Sequence, residues 1–310
     1  MTASPGPQRS AGNVGAVSTS SNSIGLSARA SRWAMRVGRS LFRNTPLQKL
    51  PGMSAIYGRL VKTAYGTGGT TVVLFRGLEI EIRSGDITTL PSLADGTYES
   101  AELDHYLAAI HPGAVVADIG ANIGIWSALL SRAVGPTGRV VAFEPSPDNL
   151  ELLRANLARN GCTNVEIVPV AVSRASGTAS FETTTAGATH HLAASGRTGD
   201  ISVDVVALDE YVRATSTSFD AIKIDIEGFE PDAFAGMTSV IDGLPLLLTE
   251  FSTTQARDAG LSWGETLHGL LNHYGSCKVF DGRTVRDLDG DHAGEILAGS
   301  KLLNLLFSPR

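Results

Sequence analysis

Two cysteines in 310 residues, Cys162 and Cys277, are too few for a disulfide framework and lack a zinc-ligand spacing. They read as reduced, unpaired thiols of a cytosolic chain. No stretch reaches eighteen unbroken apolar residues, so no transmembrane helix is predicted. The N-terminus lacks the apolar core of a secretory signal. Acids are missing from the first 78 positions, which carry ten Lys and Arg; the first acid is Glu79. The remainder holds 15 basic and 31 acidic residues, a net of −16. A body that acidic argues against a general nucleic-acid binder.

What is present allows a well-filled core: 43% of residues are apolar and 18% charged. Residues 1–28 are mostly Ser, Gly, Ala and Thr with little to bury, so they are predicted to be disordered. Being acid-free, they also resemble an organellar transit peptide. Arginines at 29, 32, 36, 39 and 43 then alternate with Trp33, Met35, Val37, Leu41 and Phe42, a spacing that makes one helix face basic. Such a helix either lies solvated against the domain or seeks a surface, anionic lipid or a carrier, which would hold a cytoplasmic protein peripherally at a membrane. The expected division is a basic, largely disordered extension over 1–65 and one globular domain over 66–310.

The domain opens with two β-rich runs about Gly77, where Leu78, Ile80 and Ile82 alternate with Glu79, Glu81 and Arg83, a predicted hairpin. A helix with Leu103, Tyr106, Leu107 and Ile110 on one face follows. Strands are then predicted over 115–118, 139–143, 165–170, 219–226 and 244–251. Helices fall between them, one capped by Ser146 with Pro147 at its first position. Ser262-x-x-Glu265 reads as a capping box for a helix bearing Leu267, Leu270, Leu271 and Tyr274. Strands over 276–280 and 302–307 close the chain. This is an α/β pattern, a mostly parallel sheet with helices on both faces. Residues 171–218 interrupt it with an inserted hairpin, "GTASFE" and "DISVDVVAL", around a polar loop. Ligands in such sheets bind beyond the carboxyl ends of the strands.

The motifs fall there. In "VVADIGANIGIW" (115–126) a dinucleotide fingerprint would need a second glycine where Asn122 stands, and no Gly-Lys-Ser/Thr follows to make a P-loop. The remaining shape, Asp118-x-Gly120-x-Asn122-x-Gly124, suits a ligand with an amino acid end and no phosphate. An acid beside the turn repels pyrophosphate and attracts ammonium. Glu144 ends the next strand, where an acid accepts hydrogen bonds from both ribose hydroxyls of an adenosine. A ribose and an amino acid without phosphate describe S-adenosylmethionine.

"DIGANIG", "AFEPSP", "VPVAVS", "VALDEYV", "FDAIKIDIEGFE" and "LLLTEFS", flanked by "GTYES" and "NLLFSP", resemble in that order the FkbM-type S-adenosylmethionine-dependent methyltransferases, over roughly residues 70–310. The resemblance implies the class I methyltransferase fold, a Rossmann-like seven-stranded sheet whose last strand is antiparallel. It also implies methylation of hydroxyls on sugars or polyketide-like natural products. The expected cofactor site holds the amino acid portion on Asp118, Gly120, Ala121, Asn122 and Gly124. Glu144, next to Pro145, takes the ribose, Ala171 lies near the adenine, and Glu99 folds over the cofactor.

An alcohol has a high pKa and gains from a general base or a metal at the moment of attack. Asp225 and Glu227 are two residues apart, so on an extended chain they point the same way. One would hold the ligand's amino group while the other faces the acceptor; alternatively Glu227 caps a helix. His190 and His191, in the polar loop, could take the hydroxyl proton. Asp225, Glu227 and Glu250 could together bind Mg²⁺, though no spacing demands it. Asp281, Asp287, Asp289 and Asp291 read as a solvated acidic loop. No Asp/Asn-Pro-Pro-aromatic follows the fourth strand, which favours an oxygen nucleophile over a nucleic-acid base. The expected reaction is O-methylation of a small-molecule or glycolipid acceptor. Two alternatives stand beside it: a non-enzymatic adapter that recruits partners through the basic arm, and an NAD-dependent oxidoreductase. Nothing in the sequence sets the oligomeric state.

Overall fold

Helix α1 (Met53–Tyr65) leads into the hairpin β1 (Thr70–Phe75) and β2 (Leu78–Arg83), paired antiparallel around Gly77. The computed structural model describes residues 53–66, 68–183, 190–192, 201–282, 284–288 and 292–309; the arginine-spaced segment 29–43 lies outside them. Val61 and Ala64 of α1 are buried, so helical packing begins on the N-terminal side of residue 66.

Helices α2 (Thr89–Ala94) and α3 (Ser100–Ala109) precede the alternating part. That part runs β3 (Val115–Ile119), α4 (Ile125–Val134), β4 (Arg139–Phe143), α5 (Pro147–Arg159) and β5 (Val165–Val168). After the insertion come α6 (Leu208–Thr215), β10 (Ala221–Ile224), α7 (Glu230–Ala235), α8 (Thr238–Asp242) and β11 (Leu247–Phe251). The chain ends with α9 (Thr253–Asp258), α10 (Gly264–Tyr274), β12 (Ser276–Phe280), β13 (Val285–Leu288), α11 (Ala293–Ala298) and β14 (Leu303–Ser308).

The main sheet has the order β13-β12-β14-β11-β10-β3-β4-β5. Strands β11, β10, β3, β4 and β5 are parallel, and β14 lies antiparallel between β11 and β12. The antiparallel last strand is as the family resemblance implies. An eighth strand, β13, adds to the expected seven. Three of its four residues are exposed and it sits at the edge, so it carries no apolar alternation for a sequence reading to find. Asp287, expected in a solvated loop, stands on β13 and pairs with Lys278 of β12 at 2.8 Å.

Central strands are buried on both faces. Val116, Val140 and Leu248 enter one core with the hairpin, α3, α4 and α5, while Ala117, Val141 and Leu247 enter the other with α7, α10 and Trp263. Period-two alternation between two apolar sides yields the continuous apolar runs expected of parallel strands. The insertion forms its own sheet, order β6-β9-β7-β8, from β6 (Ala171–Val172), β7 (Gly177–Thr183), β8 (His190–Leu192) and β9 (Ile201–Val206). The predicted hairpin is the β7–β9 pair, but "HHL" is a third strand rather than part of a loop. Two caps divide. Ser146 accepts the N–H of Asn149 and caps α5 as predicted. Ser262 misses the N-cap of α10 by one residue: Trp263 occupies it, and the Ser262 hydroxyl accepts from Gly264 at 3.3 Å.

Candidate active site

Strand order reverses between β3 and β10, and a cavity opens there beyond the carboxyl ends of β3, β4 and β10. The turn after β3 forms its wall. Gly120 has φ of +77°, and a Cβ there would lie 1.9 Å from the carbonyl oxygen of Asp225. The glycine is therefore required by the chain leaving β10, besides whatever approaches from the cavity. Asn122 also takes a left-handed conformation, at φ of 50°.

Glu144 closes the floor. One carboxylate oxygen accepts the N–H of Asn122 at 2.8 Å; the other accepts that of Ser146 at 2.8 Å and the Asn149 amide at 3.4 Å, leaving a lone pair on the first for a further donor. Burial raises its pKa to about 7 against those hydrogen bonds, which lower it. Asp225 and Glu227 border the cavity from the far side. They do not share an extended chain as predicted: β10 ends at Ile224 and Glu227 has φ of 57°. Gln255 Nε2 donates to Glu227 Oε2 at 2.7 Å. Burial, then the neighbouring Asp225 and Glu230, push Glu227 to about 8. Glu227 does not cap α7, whose N-cap is Phe229 with no side-chain cap bond; Glu230 at the first helical position accepts the N–H groups of Ile226 and Gly228 in the preceding turn.

Gly120, Ala121, Asn122, Glu144, Pro145, Ala171, Asp225 and Glu227 all line the cavity. Asp118, Gly124 and Glu99 stand behind its lining. Asp118 is fully buried, accepts the Ser127 hydroxyl at 2.6 Å and lies 3.5 Å from Lys223 Nζ, because β3 is covered on both faces. Gly124 packs against Leu153. Glu99 accepts the indole N–H of Trp126 at 2.6 Å, so it is Trp126 and Tyr98 that reach the cavity in its place. Burial, then Asp225, raise Glu99 to about 7. His190 and His191 fall on β8, and their side chains lie outside the described residues.

Sequence reading missed Lys223. It occupies the apolar run "AIKI", 4% exposed, and donates to the Gly120 carbonyl at 3.2 Å. Burial works against its charge, but Asp225, Asp118, Glu99 and Glu250 more than offset this and raise its pKa. A lysine in an apolar strand beside two acids was the signal. Among the described residues lining the cavity it is the one cation, facing Asp86, Glu144, Asp225 and Glu227. These residues fit S-adenosylmethionine, whose sulfonium and ammonium outnumber its carboxylate. A pyrophosphate would meet four acids and one lysine.

The family model for the FkbM methyltransferase domain matches residues 118–273, half of the chain and most of the cavity lining. The chain belongs to the FkbM methyltransferase family. Among curated relatives, the hexuronic acid methyltransferase AglP of Haloferax volcanii is 29% identical over 141 residues, which are 44% of this chain and 55% of that protein. Ribosomal protein L11 methyltransferase of Myxococcus xanthus is 34% identical over 95 residues, 28% of this chain and 32% of that one. The chain thus matches about half or less of these relatives' lengths. A solved S-adenosylmethionine-dependent methyltransferase from Agrobacterium tumefaciens superposes with a TM-score of 0.44 at 13% identity, covering 79% of this chain and 71% of that one. For this FkbM-family chain the fold is read from the strand order above.

Proposed function

We propose that this protein is an S-adenosylmethionine-dependent O-methyltransferase acting on a hydroxyl of a sugar or sugar acid, free or as a glycolipid head group. The observation that carries the reading is Glu144, which lines the cavity, held between the glycine turn and α5 with a lone pair left for a further donor. The name of the hexuronic acid relative supports a sugar acceptor; a polyketide-like hydroxyl is the second choice. Bound S-adenosylmethionine supplies a methyl group already activated on a sulfonium. The chain's own task is to align the acceptor and accept its proton, and alignment supplies most of the acceleration. Glu227 is the proposed base. Gln255 engages one of its oxygens, leaving the other to take the proton of the acceptor hydroxyl, whose oxygen would bond to the methyl carbon as the carbon–sulfur bond breaks and S-adenosylhomocysteine leaves. Phe181 and Leu192 of the inserted sheet add an apolar wall. In this proposal the basic arm brings a cytoplasmic enzyme to a membrane-borne or carrier-borne acceptor.

Calorimetry with S-adenosylmethionine, with NAD as control, tests the cofactor. Micromolar binding of S-adenosylmethionine alone is expected, weakened by more than ~1 kcal/mol in Glu144→Ala. Release of S-adenosylhomocysteine is then followed with uronic acids and neutral sugars. Binding of NAD and not S-adenosylmethionine would restore the oxidoreductase; binding of neither would favour an adapter.

A further inference from the structure

Behind the cavity stand carboxylates that methyl transfer, as proposed, leaves unused. Glu230 on the first turn of α7 is fully buried, and its oxygens accept the N–H groups of Ile226 at 2.8 Å and Gly228 at 3.0 Å. Glu250 lies in β11, next to β10, and is 9% exposed. Its Oε2 is buried with no hydrogen-bond partner among the described residues. Asp225 leaves β10 close by, with 28% of its side chain exposed, and borders the cavity. One carboxylate oxygen from each of the three falls within 4.8 Å of the others.

Buried charges are ordinarily paired or coordinated. Lys223 does not meet this need. Its ammonium is shared between Asp118 at 3.5 Å, Asp225 at 3.6 Å and the Gly120 carbonyl at 3.2 Å, and it makes no hydrogen bond to Glu250 or Glu230. The orphaned oxygen of Glu250 therefore marks a place that Lys223 reaches only through its field and that no side chain of the described residues bonds.

We infer that Asp225, Glu230 and Glu250 form a binding site for one hard divalent cation, Mg²⁺ or Mn²⁺, at the inner end of the cavity. Three carboxylate oxygens suit such an ion, which prefers oxygen ligands and keeps several positions for water. The trio differs from the one expected from sequence. Glu230 replaces Glu227 because the chain turns at Glu227 and α7 returns Glu230 beneath it. Asp225 belongs to both site and cavity, so the ion's remaining positions are reachable by an acceptor hydroxyl, whose proton a bound cation would make easier to remove. That use rests on the methyltransferase reading; the ion site itself does not.

The test titrates the full-length protein with MnCl₂ and reads free Mn²⁺ by electron paramagnetic resonance, without any cofactor. One Mn²⁺ per chain is expected, displaced by Mg²⁺, with affinity at least tenfold weaker in Glu250→Gln. Asp225→Asn, at a partly exposed position, should show the same loss and serves if Glu250→Gln does not fold by circular dichroism. A free-Mn²⁺ signal unchanged by the protein would overturn the site, as would full affinity in both variants. Glu250→Gln that melts higher than wild type, with no Mn²⁺ uptake by either, would show a buried carboxylic acid in place of a ligand. Calorimetry on the same preparation separates the two readings. S-adenosylmethionine binding without Mn²⁺ uptake removes the ion site alone, and Mn²⁺ uptake without S-adenosylmethionine binding removes the methyltransferase reading and keeps the site.

Discussion

Glu144 ties the glycine turn after β3 to the start of α5 through its two carboxylate oxygens, one accepting from Asn122 and the other from Ser146. Its pH behaviour follows from burial, which raises it from 4.5 to about 7. A carboxyl that titrates higher folded than unfolded contributes stability below its unfolded value and loses it as pH rises through its folded value. The ligand-free protein should therefore lose stability from this group between pH 4.5 and about 7. The urea midpoint of wild type is expected to fall further between pH 5.5 and 7.5 than that of Glu144→Gln; equal falls would count against the assignment. Gly120→Ala makes a harsher prediction. Its Cβ would meet a backbone carbonyl at 1.9 Å in a left-handed conformation, so a loss of about 3 kcal/mol or more is expected in chemical denaturation. S-adenosylmethionine binding should go with it. Both residues were legible because a local motif carries them. Lys223, Glu230 and the true position of Asp118 were not, since each is defined by groups on other strands and helices.

At the scale of elements, the N-terminal hairpin is fastened by side-chain amides. Asn156 of α5, fully buried, accepts the N–H of Glu81 at 2.6 Å and donates to the carbonyls of Glu81 and Ile123. Asn160 repeats the pattern on Glu79. These amides satisfy the β2 backbone away from β1. Asn156→Ala would leave buried backbone groups unpaired, each worth about 1–3 kcal/mol. A loss of about 2–4 kcal/mol is expected in urea denaturation, with weaker S-adenosylmethionine binding because Ile123 sits in the glycine turn. Unchanged binding in a destabilised variant would show that the turn holds without this anchor. The hairpin itself was readable from alternation; its fastening was not, because two asparagines on an amphipathic helix look solvated until the strand that uses them is in place.

The whole molecule joins an acidic body to an acid-free arm. Among the described residues no helix is long and apolar enough to cross a membrane. If the arm serves acceptor delivery alone, removing residues 1–52 while keeping α1 should leave S-adenosylmethionine affinity within about twofold. It should also leave turnover on a soluble acceptor intact, whereas an adapter would lose its partner. A tenfold loss of cofactor affinity would place the arm at the site instead.

Sequence alone determined the alternating α/β order, the hairpin, the cavity-lining glycine turn and the acid after β4, because each is written in neighbours within one turn or one strand. Only the tertiary structure decided which carboxylates face the cavity. The reversal between β3 and β10 buries Asp118 behind the turn, brings Lys223 between two acids and returns α7 so that Glu230 meets Glu250. Burial and charge pairing across strands far apart in the chain are properties of the packed sheet, and no local pattern encodes them.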